Sequence, residues 1–73
     1  MKIESEGDEY VIRWYAHYNK FCEARQWCRD QFGDHWGKAQ PGQFDRFFGS
    51  ENTFTFKRLY HAQWFVMRWD NEK

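Results

Sequence analysis

Aliphatic residues, from which most small protein cores are built, are scarce in this chain. Leu59 is the only leucine among 73 residues, and there are two isoleucines and two valines. Rings replace them, since the chain has eight Phe, five Trp and four Tyr. The core must therefore be built largely from aromatic side chains, which bury a large area per residue. So many rings exceed what a small interior hides, and we expect the remainder to mark contact sites on the surface.

The chain is too short for a second domain or a large core. Its 73 residues correspond to one domain near the lower limit for folding unaided. Because so small a core leaves little net stability, we expect a homodimer or a bound partner to add to it. A domain of this size also has little room for a pocket that encloses a substrate.

Neither sign of charge is in excess overall, but the charges are unevenly distributed. The formal net charge is zero, yet residues 1–9 carry four acidic residues against Lys2 alone. Residues 10–69 carry nine Lys and Arg against five Asp and Glu. We therefore predict a flexible acidic leader at residues 1–8 and one folded domain at residues 9–70. The leader either keeps the chain in solution or competes with an anionic ligand for the basic body.

Long apolar runs and a cysteine framework are also missing. Residues 1–6 lack the apolar stretch of a signal peptide, and no run approaches membrane-spanning length. Cys22 and Cys28 lie on one predicted helix, where their positions differ by roughly 240°, so they cannot bridge each other. We therefore expect a cytoplasmic protein with no membrane contact.

The first half of the domain predicts a strand followed by a helix. Residues 9–18 are rich in β-branched and aromatic residues, and alternation divides them into two rows. The apolar row, which should face the core, consists of Tyr10, Ile12, Trp14, Ala16 and Tyr18. Residues 20–32 then show helical spacing, with Asn19 as the expected N-cap and Gly33 as the C-cap.

The second half predicts a loop at residues 34–42 and then a hairpin. Its strands are residues 43–48 and 53–58, which flank a turn at residues 49–52. Residues 59–69 fit either a short helix followed by a short strand, or a continuation of the third strand. The fold class is therefore α+β, a small antiparallel sheet with one or two helices on one face. The element order is ferredoxin-like β-α-β-β-α-β or the shorter β-α-β-β.

An uncovered sheet face is the first candidate site. Alternation would place on it Arg13, Tyr15, His17, Lys57 and, from a last strand, Arg68. Cations beside a ring suit single-stranded nucleic acid, because charge meets phosphate and the ring stacks on a base. Any solvated sheet face also needs polar residues, so a face that only contacts water explains the same pattern. The topology resembles the RNA recognition motif family in outline, but residues 53–58 lack its glycine–aromatic signature, and no residue is carried over.

Trp36 is the second candidate, in the segment between Gly33 and Gly37. It could protrude as an anchor for a protein partner, since Trp is over-represented at binding hot spots. The alternative is that Trp36 folds back and closes one end of the small core.

Features typical of metal sites and of catalysis are absent from the sequence. Its cysteines and histidines show neither CxxC nor HxxxH spacing, and Cys28 is expected to pack as a small apolar residue. Neither serine, Ser5 or Ser50, lies in a nucleophile context, and there is no glycine-rich phosphate loop. We therefore expect a protein that is not an enzyme and that needs no metal or cofactor.

Two segments carry a resemblance at the level of a group of proteins. Residues 26–33 (QWCRDQFG) and 62–69 (AQWFVMRW) resemble short, aromatic-rich proteins encoded by bacteriophages. That resemblance implies a small accessory protein that acts on a host factor. The sequence thus predicts an interaction module for a protein partner. The alternatives are a single-stranded nucleic acid binder and a structural subunit that associates through strand edges.

Overall fold

A computed structural model describes residues 1–70 of the chain. Within that range the chain forms one sheet of four strands and two helices. Along the sequence they are β1 (Ile3–Glu6), β2 (Glu9–Ala16), α1 (Tyr18–Phe32), β3 (Gly37–Gln40), β4 (Ser50–Phe56) and α2 (Leu59–Trp69). The sheet order is β1-β2-β4-β3, and each neighbouring pair is antiparallel. The predicted α+β class with an antiparallel sheet is confirmed.

The element order is β-β-α-β-β-α, which differs from both predicted orders. Strands β2 and β3 are both antiparallel to β4, so they run parallel to each other with β4 between them. Helix α1 connects them, which makes a split β-α-β unit of the predicted kind. The difference comes from an additional first strand and from the last segment, which remains helical.

The prediction of a flexible leader is wrong for residues 3–6, which form β1. Ile3 pairs with Ile12 across the sheet and is partly buried against the core. The amino group of Met1 also forms an ion pair with Asp70 at 2.8 Å, beyond the end of α2. The apolar contact of Ile3 orders a segment whose composition is otherwise polar. The domain therefore begins well before residue 9.

The hairpin predicted at residues 43–48 is also wrong, because β4 pairs with β3 instead. Strand β3 lies in the segment predicted as a loop, and it begins at Gly37 with a φ of 151°. A side chain there would overlap the carbonyl oxygen of Thr55, so the close approach of β3 to β4 requires glycine. Residues 43–48 belong to the connection that leads into β4.

Both interpretations of the last segment are wrong, because α2 is one helix. Its buried residues Ala62, Phe65 and Trp69 follow a helical stripe, and that stripe packs on the core. Helix α1 is close to the predicted span and ends at Gly33 as expected, but His17 rather than Asn19 is its N-cap. Extending α1 and α2 to these lengths puts two apolar stripes on the sheet.

The core is a layer of rings between the sheet and both helices. Phe54 of β4 is fully buried, and its ring centroid lies 4.7 Å from that of Phe65 in α2 and 5.4 Å from that of Phe21 in α1. Trp14 of β2 meets Phe54 at 6.1 Å and Trp69 at 5.6 Å. The predicted inner row of the first strand is confirmed as far as Ala16, but its last member, Tyr18, begins α1 and is 56% exposed. Both helices lie on the same face of the sheet.

Asn52 is a buried polar residue that fastens one end of this layer. It is fully buried, and its Nδ2 donates to the carbonyl oxygens of Trp14, Ala16 and Ser50 at 3.3–3.4 Å. Its Oδ1 accepts from the backbone N–H of Gly42 and from the Ser50 hydroxyl, both at 3.1 Å. One side chain thus links β2, β4 and the loop before β4.

Asn52→Ala is expected to lower the free energy of unfolding by about 2–3 kcal/mol, because it leaves buried donors and acceptors unsatisfied. That is a large share of the stability of so small a domain. Urea unfolding followed by circular dichroism measures the change. Asn19→Ala, at an exposed position of α1, is the matched control and should change stability by less than about 0.5 kcal/mol. Equal effects of the two variants would contradict the structural role of Asn52.

Candidate functional site

The uncovered sheet face carries two of the predicted binding residues, and acidic groups surround them. Arg13 and Tyr15 point away from the helices, and Tyr15 is 61% exposed. Arg13 Nη1 lies 3.2 Å from Glu4 Oε2 on β1, and Tyr15 pairs with Glu51 on β4. Arg13 is therefore paired with one acidic residue, and Tyr15 lies opposite a second one in the strand register.

The charge of this face disfavours a polyanionic ligand. In residues 1–70, strand register and alternation place more carboxylates than cations on it. The carboxylates belong to Glu4, Glu6, Glu9 and Glu51, and the cations to Arg13 and Lys38. Because phosphate contacts dominate affinity for nucleic acids, an acidic face opposes such binding.

The other predicted residues of this face lie elsewhere. His17 is the N-cap residue of α1, and Lys57 follows the end of β4. Arg68 was assigned to a last strand, but it lies on α2 with its guanidinium 4.4 Å from the ring centroid of Trp69. The six residues predicted to bind therefore do not form one site.

Trp36 does not protrude, and its prediction as a loop anchor is wrong. It is 4% exposed, and its ring centroid lies 5.1 Å from that of Phe56 in the core. Its carbonyl oxygen accepts a hydrogen bond from the backbone N–H of Lys57 at 3.2 Å. The alternative, in which Trp36 closes one end of the core, is confirmed. Gly37 allows this because the chain enters β3 directly after the ring.

The most exposed rings lie instead at the tip of the segment Asp45 to Gly49, here called the aromatic loop. Phe47 is 77% exposed and Phe48 is 70% exposed. The Asp45 carboxylate accepts from the backbone N–H groups of both phenylalanines, at 2.7 and 3.1 Å. Asp45 and Gly49 also exchange two backbone hydrogen bonds of 3.1 Å. The loop is therefore a closed turn that presents two adjacent apolar side chains to solvent.

The base of the aromatic loop is held against the end of the sheet. Gly49 has a φ of 82°, and a Cβ there would lie 2.8 Å from the carbonyl oxygen of Ala16. Phe44, which precedes Asp45, packs its ring edge-on against that of Tyr18, with the ring centroids 5.0 Å apart. These contacts set the direction in which the loop projects. Sequence reasoning missed it because residues 43–48 have a strand composition; Asp45 as the start of a side-chain-capped turn was the available signal.

Helix α2 carries a second exposed apolar surface on the side away from the core. Tyr60, Trp64 and Met67 are each more than half exposed, and their spacing puts them on one stripe. Helix α2 is therefore apolar both toward the core and toward solvent along these turns. The sequence pattern of residues 59–69 was ambiguous for the same reason.

A cleft of about 440 Å³ lies between the segment before β3 and the start of α2, and it is here called the basic cleft. The described residues that line it are His35, Trp36, Lys57, Arg58 and His61. The His61 ring stacks on Phe32 of α1 at 4.1 Å. Burial, and secondly the charge of Arg58, lower the pKa of His61 below its usual value.

The structure also bears on metal binding and on the cysteines. Among residues 1–70, no group of three or more His, Cys, Asp or Glu side chains is close enough to hold a metal ion. Cys28 is fully buried in the core, and burial raises the pKa of its thiol well above the usual range. Cys28 therefore packs as a small apolar residue, as predicted.

Comparison with protein-family models, with curated proteins and with solved structures gives no match for this chain. Neither helix in the part of the chain that the structure describes is long and apolar enough to cross a membrane.

Asp45→Ala is expected to loosen the aromatic loop without unfolding the domain. The amide hydrogens of Phe47 and Phe48 should exchange roughly tenfold faster, because each loses a charged acceptor. Hydrogen exchange followed by NMR measures this. Asp30→Ala is the matched control, since that carboxylate accepts from Gln26 Nε2 within α1 and does not touch the loop. If loop exchange is unchanged in Asp45→Ala, the loop does not depend on this carboxylate.

Proposed function

We propose that the chain is a non-enzymatic interaction module that binds a protein partner through the aromatic loop. The observation that carries the proposal is the exposure of Phe47 and Phe48 side by side on a hydrogen-bonded turn. Two phenylalanines held in water carry a hydration cost that a partner removes when it covers them. We expect such a pair to act as an anchor that fills a pocket on the partner.

The fixed conformation of the aromatic loop favours binding, in addition to the exposure of its rings. A flexible loop must lose conformational entropy when it binds, and a loop already closed by hydrogen bonds loses less. The Asp45 cap and the backbone pair with Gly49 supply that order before any partner arrives. Arg46 lies at the same tip, and arginine is enriched in interfaces because its guanidinium forms several directed hydrogen bonds.

The size of the contact can be bounded from the surface area. The structure exposes 5282 Å², and a standard contact of about 800 Å² per partner would cover roughly a seventh of it. Two phenylalanines supply only about half of such a patch. The neighbouring exposed ring of Tyr18 and the side chain of Arg46 extend the surface around them. The aromatic loop is therefore the centre of the contact and its surroundings form the rim.

Nucleic acid binding through the sheet face is the weaker candidate. It requires cations to be free for phosphates, whereas Arg13 is paired with Glu4 and carboxylates outnumber cations on that face. Association through strand edges also lacks support, because the two edge strands, β1 and β3, are each only four residues long. A host factor as the partner follows from the resemblance to bacteriophage proteins and forms part of the proposal.

The double variant Phe47→Ser/Phe48→Ser is expected to lose the partner while keeping the fold. Both side chains are exposed, so their loss should change the free energy of unfolding by less than about 1 kcal/mol. Loss of two anchor rings should weaken binding at least tenfold, which is about 1.4 kcal/mol. Tagged protein, captured partners and quantitative mass spectrometry measure the difference, and titration with the purified partner then gives the affinity.

Tyr15→Ser is the matched control, because it removes a similarly exposed ring from the sheet face. It should capture the same partners as the parent chain. If Tyr15→Ser loses them and the loop variant keeps them, the contact lies on the sheet face and the proposal is wrong. A labelled single-stranded oligonucleotide at low ionic strength completes the test, since salt-dependent binding that Arg13→Gln abolishes would establish the nucleic acid alternative.

A further inference from the structure

We propose that the basic cleft binds a phosphate group. The proposal concerns a different surface from the aromatic loop and does not depend on it. Four basic side chains, His35, Lys57, Arg58 and His61, meet around this cleft, and none of the described residues that line it is acidic. Lys57 and Arg58 carry like charges, and an anion in the space between these groups would relieve their repulsion.

The basic groups come together through the fold rather than through the sequence. His35 comes from the segment after α1, Lys57 from the end of β4, and Arg58 and His61 from the start of α2. The hydrogen bond from the Lys57 backbone N–H to Trp36 holds two of these segments together. The stacking of His61 on Phe32 fixes a third side of the cleft against α1.

Acidic side chains that could neutralise the cleft are engaged elsewhere. Asp34, the neighbour of His35, lies 3.4 Å from Arg29 on α1. Lys57 and Arg58 have no carboxylate within ion-pair distance in residues 1–70, whereas Arg13 has one. Residues 1–70 contain as many acidic residues as cationic ones, ten of each, so acidic partners are not scarce in this part of the chain. The lack of a carboxylate beside Lys57 and Arg58 is therefore a property of this cleft.

The unpartnered Nδ1 and the lowered pKa of His61 are consistent with an anion site in the cleft. Its Nδ1 is buried with no hydrogen-bond partner among the described residues. The lowered pKa reflects burial first and repulsion by Arg58 second, with Lys57 and His35 lining the same space. A bound anion would favour the protonated imidazole, so the pKa of His61 should rise when the cleft is filled.

The donor set suits phosphate better than a neutral ligand. Lysine and arginine side chains only donate, and the guanidinium fork matches two oxygens of one phosphate. In addition, the described part of α2 has no acidic residue in its first turn, and its N-cap Arg58 makes no side-chain cap hydrogen bond. The backbone N–H groups there add to the attraction, although the basic side chains carry the site. The phosphate belongs either to a small free compound or to a phosphorylated residue of a protein.

The test is a titration of the 15N-labelled protein with inorganic phosphate, with ionic strength held constant by sodium chloride. Saturable shifts are expected at the backbone amides of residues 57–62, together with a rise in the pKa of His61. Arg58→Gln should weaken phosphate binding roughly tenfold through loss of a charged hydrogen bond. Arg25→Gln is the matched control, an exposed arginine on α1 outside the cleft, and should leave the affinity unchanged. The spectrum of each variant away from the substitution reports whether it folds as the parent does.

Two further probes identify the source of the phosphate. Adenosine monophosphate represents a free compound, and a short peptide with one phosphoserine represents a modified protein. Tighter binding of either probe than of inorganic phosphate supports the site and names its source. Shifts that do not saturate, or an equal loss in Arg58→Gln and Arg25→Gln, would overturn the proposal. Parent-like phosphate affinity in Arg58→Gln would overturn it as well.

Discussion

The packing of Phe54 against both helices is the contact on which the rest of the structure depends. Its ring is fully buried at the centre of the sheet, where Phe21 reaches it from α1 and Phe65 from α2. With so few aliphatic residues in the chain, rings must fill most of the space between the sheet and the helices. Truncation of a buried ring of this kind costs about 3–5 kcal/mol, which is comparable to the whole stability of a small domain.

Filling one layer with rings has a consequence for the surface. Six rings in residues 1–70 remain more than half exposed. Four of them lie at the aromatic loop and along the outer side of α2, and the other two are Tyr15 on the sheet face and Tyr18 at the start of α1. Asn52 links the core to the aromatic loop, because its one buried side chain anchors β2, β4 and the chain before that loop. The chain on both sides of the aromatic loop is thus hydrogen-bonded to the polar end of the core.

Local pattern was sufficient where a segment has a single period. Residues 20–32 are helical in spacing and are followed by Gly33, and the first strand alternates cleanly, so both elements and the one-sided core were predicted correctly. The sequence pattern gave wrong predictions where contacts between residues distant in sequence determine the local structure. Ile3 is ordered by Ile12, the close approach at Gly37 creates β3, and residues 59–69 satisfy two periods until the core selects the helical one.

The candidate sites were harder to predict than the fold for a related reason. Trp36 is buried because β3 returns it to the sheet, and that strand was not predicted. The uncovered sheet face carries Arg13 and Tyr15 but not His17, Lys57 or Arg68, and its acidic character depends on β1, which supplies Glu4. The basic cleft assembles side chains from three separate segments, and no spacing rule connects them.

The division of the rings between core and surface is the central claim, and the five tryptophans test it directly. Labelling them with 19F and adding a soluble gadolinium chelate measures how closely solvent approaches each indole. Trp64, which is 56% exposed, should broaden strongly, while Trp36 and Trp69 at 4% and 2% should remain sharp. Strong broadening of Trp36 or Trp69, or a sharp signal from Trp64, would contradict the account.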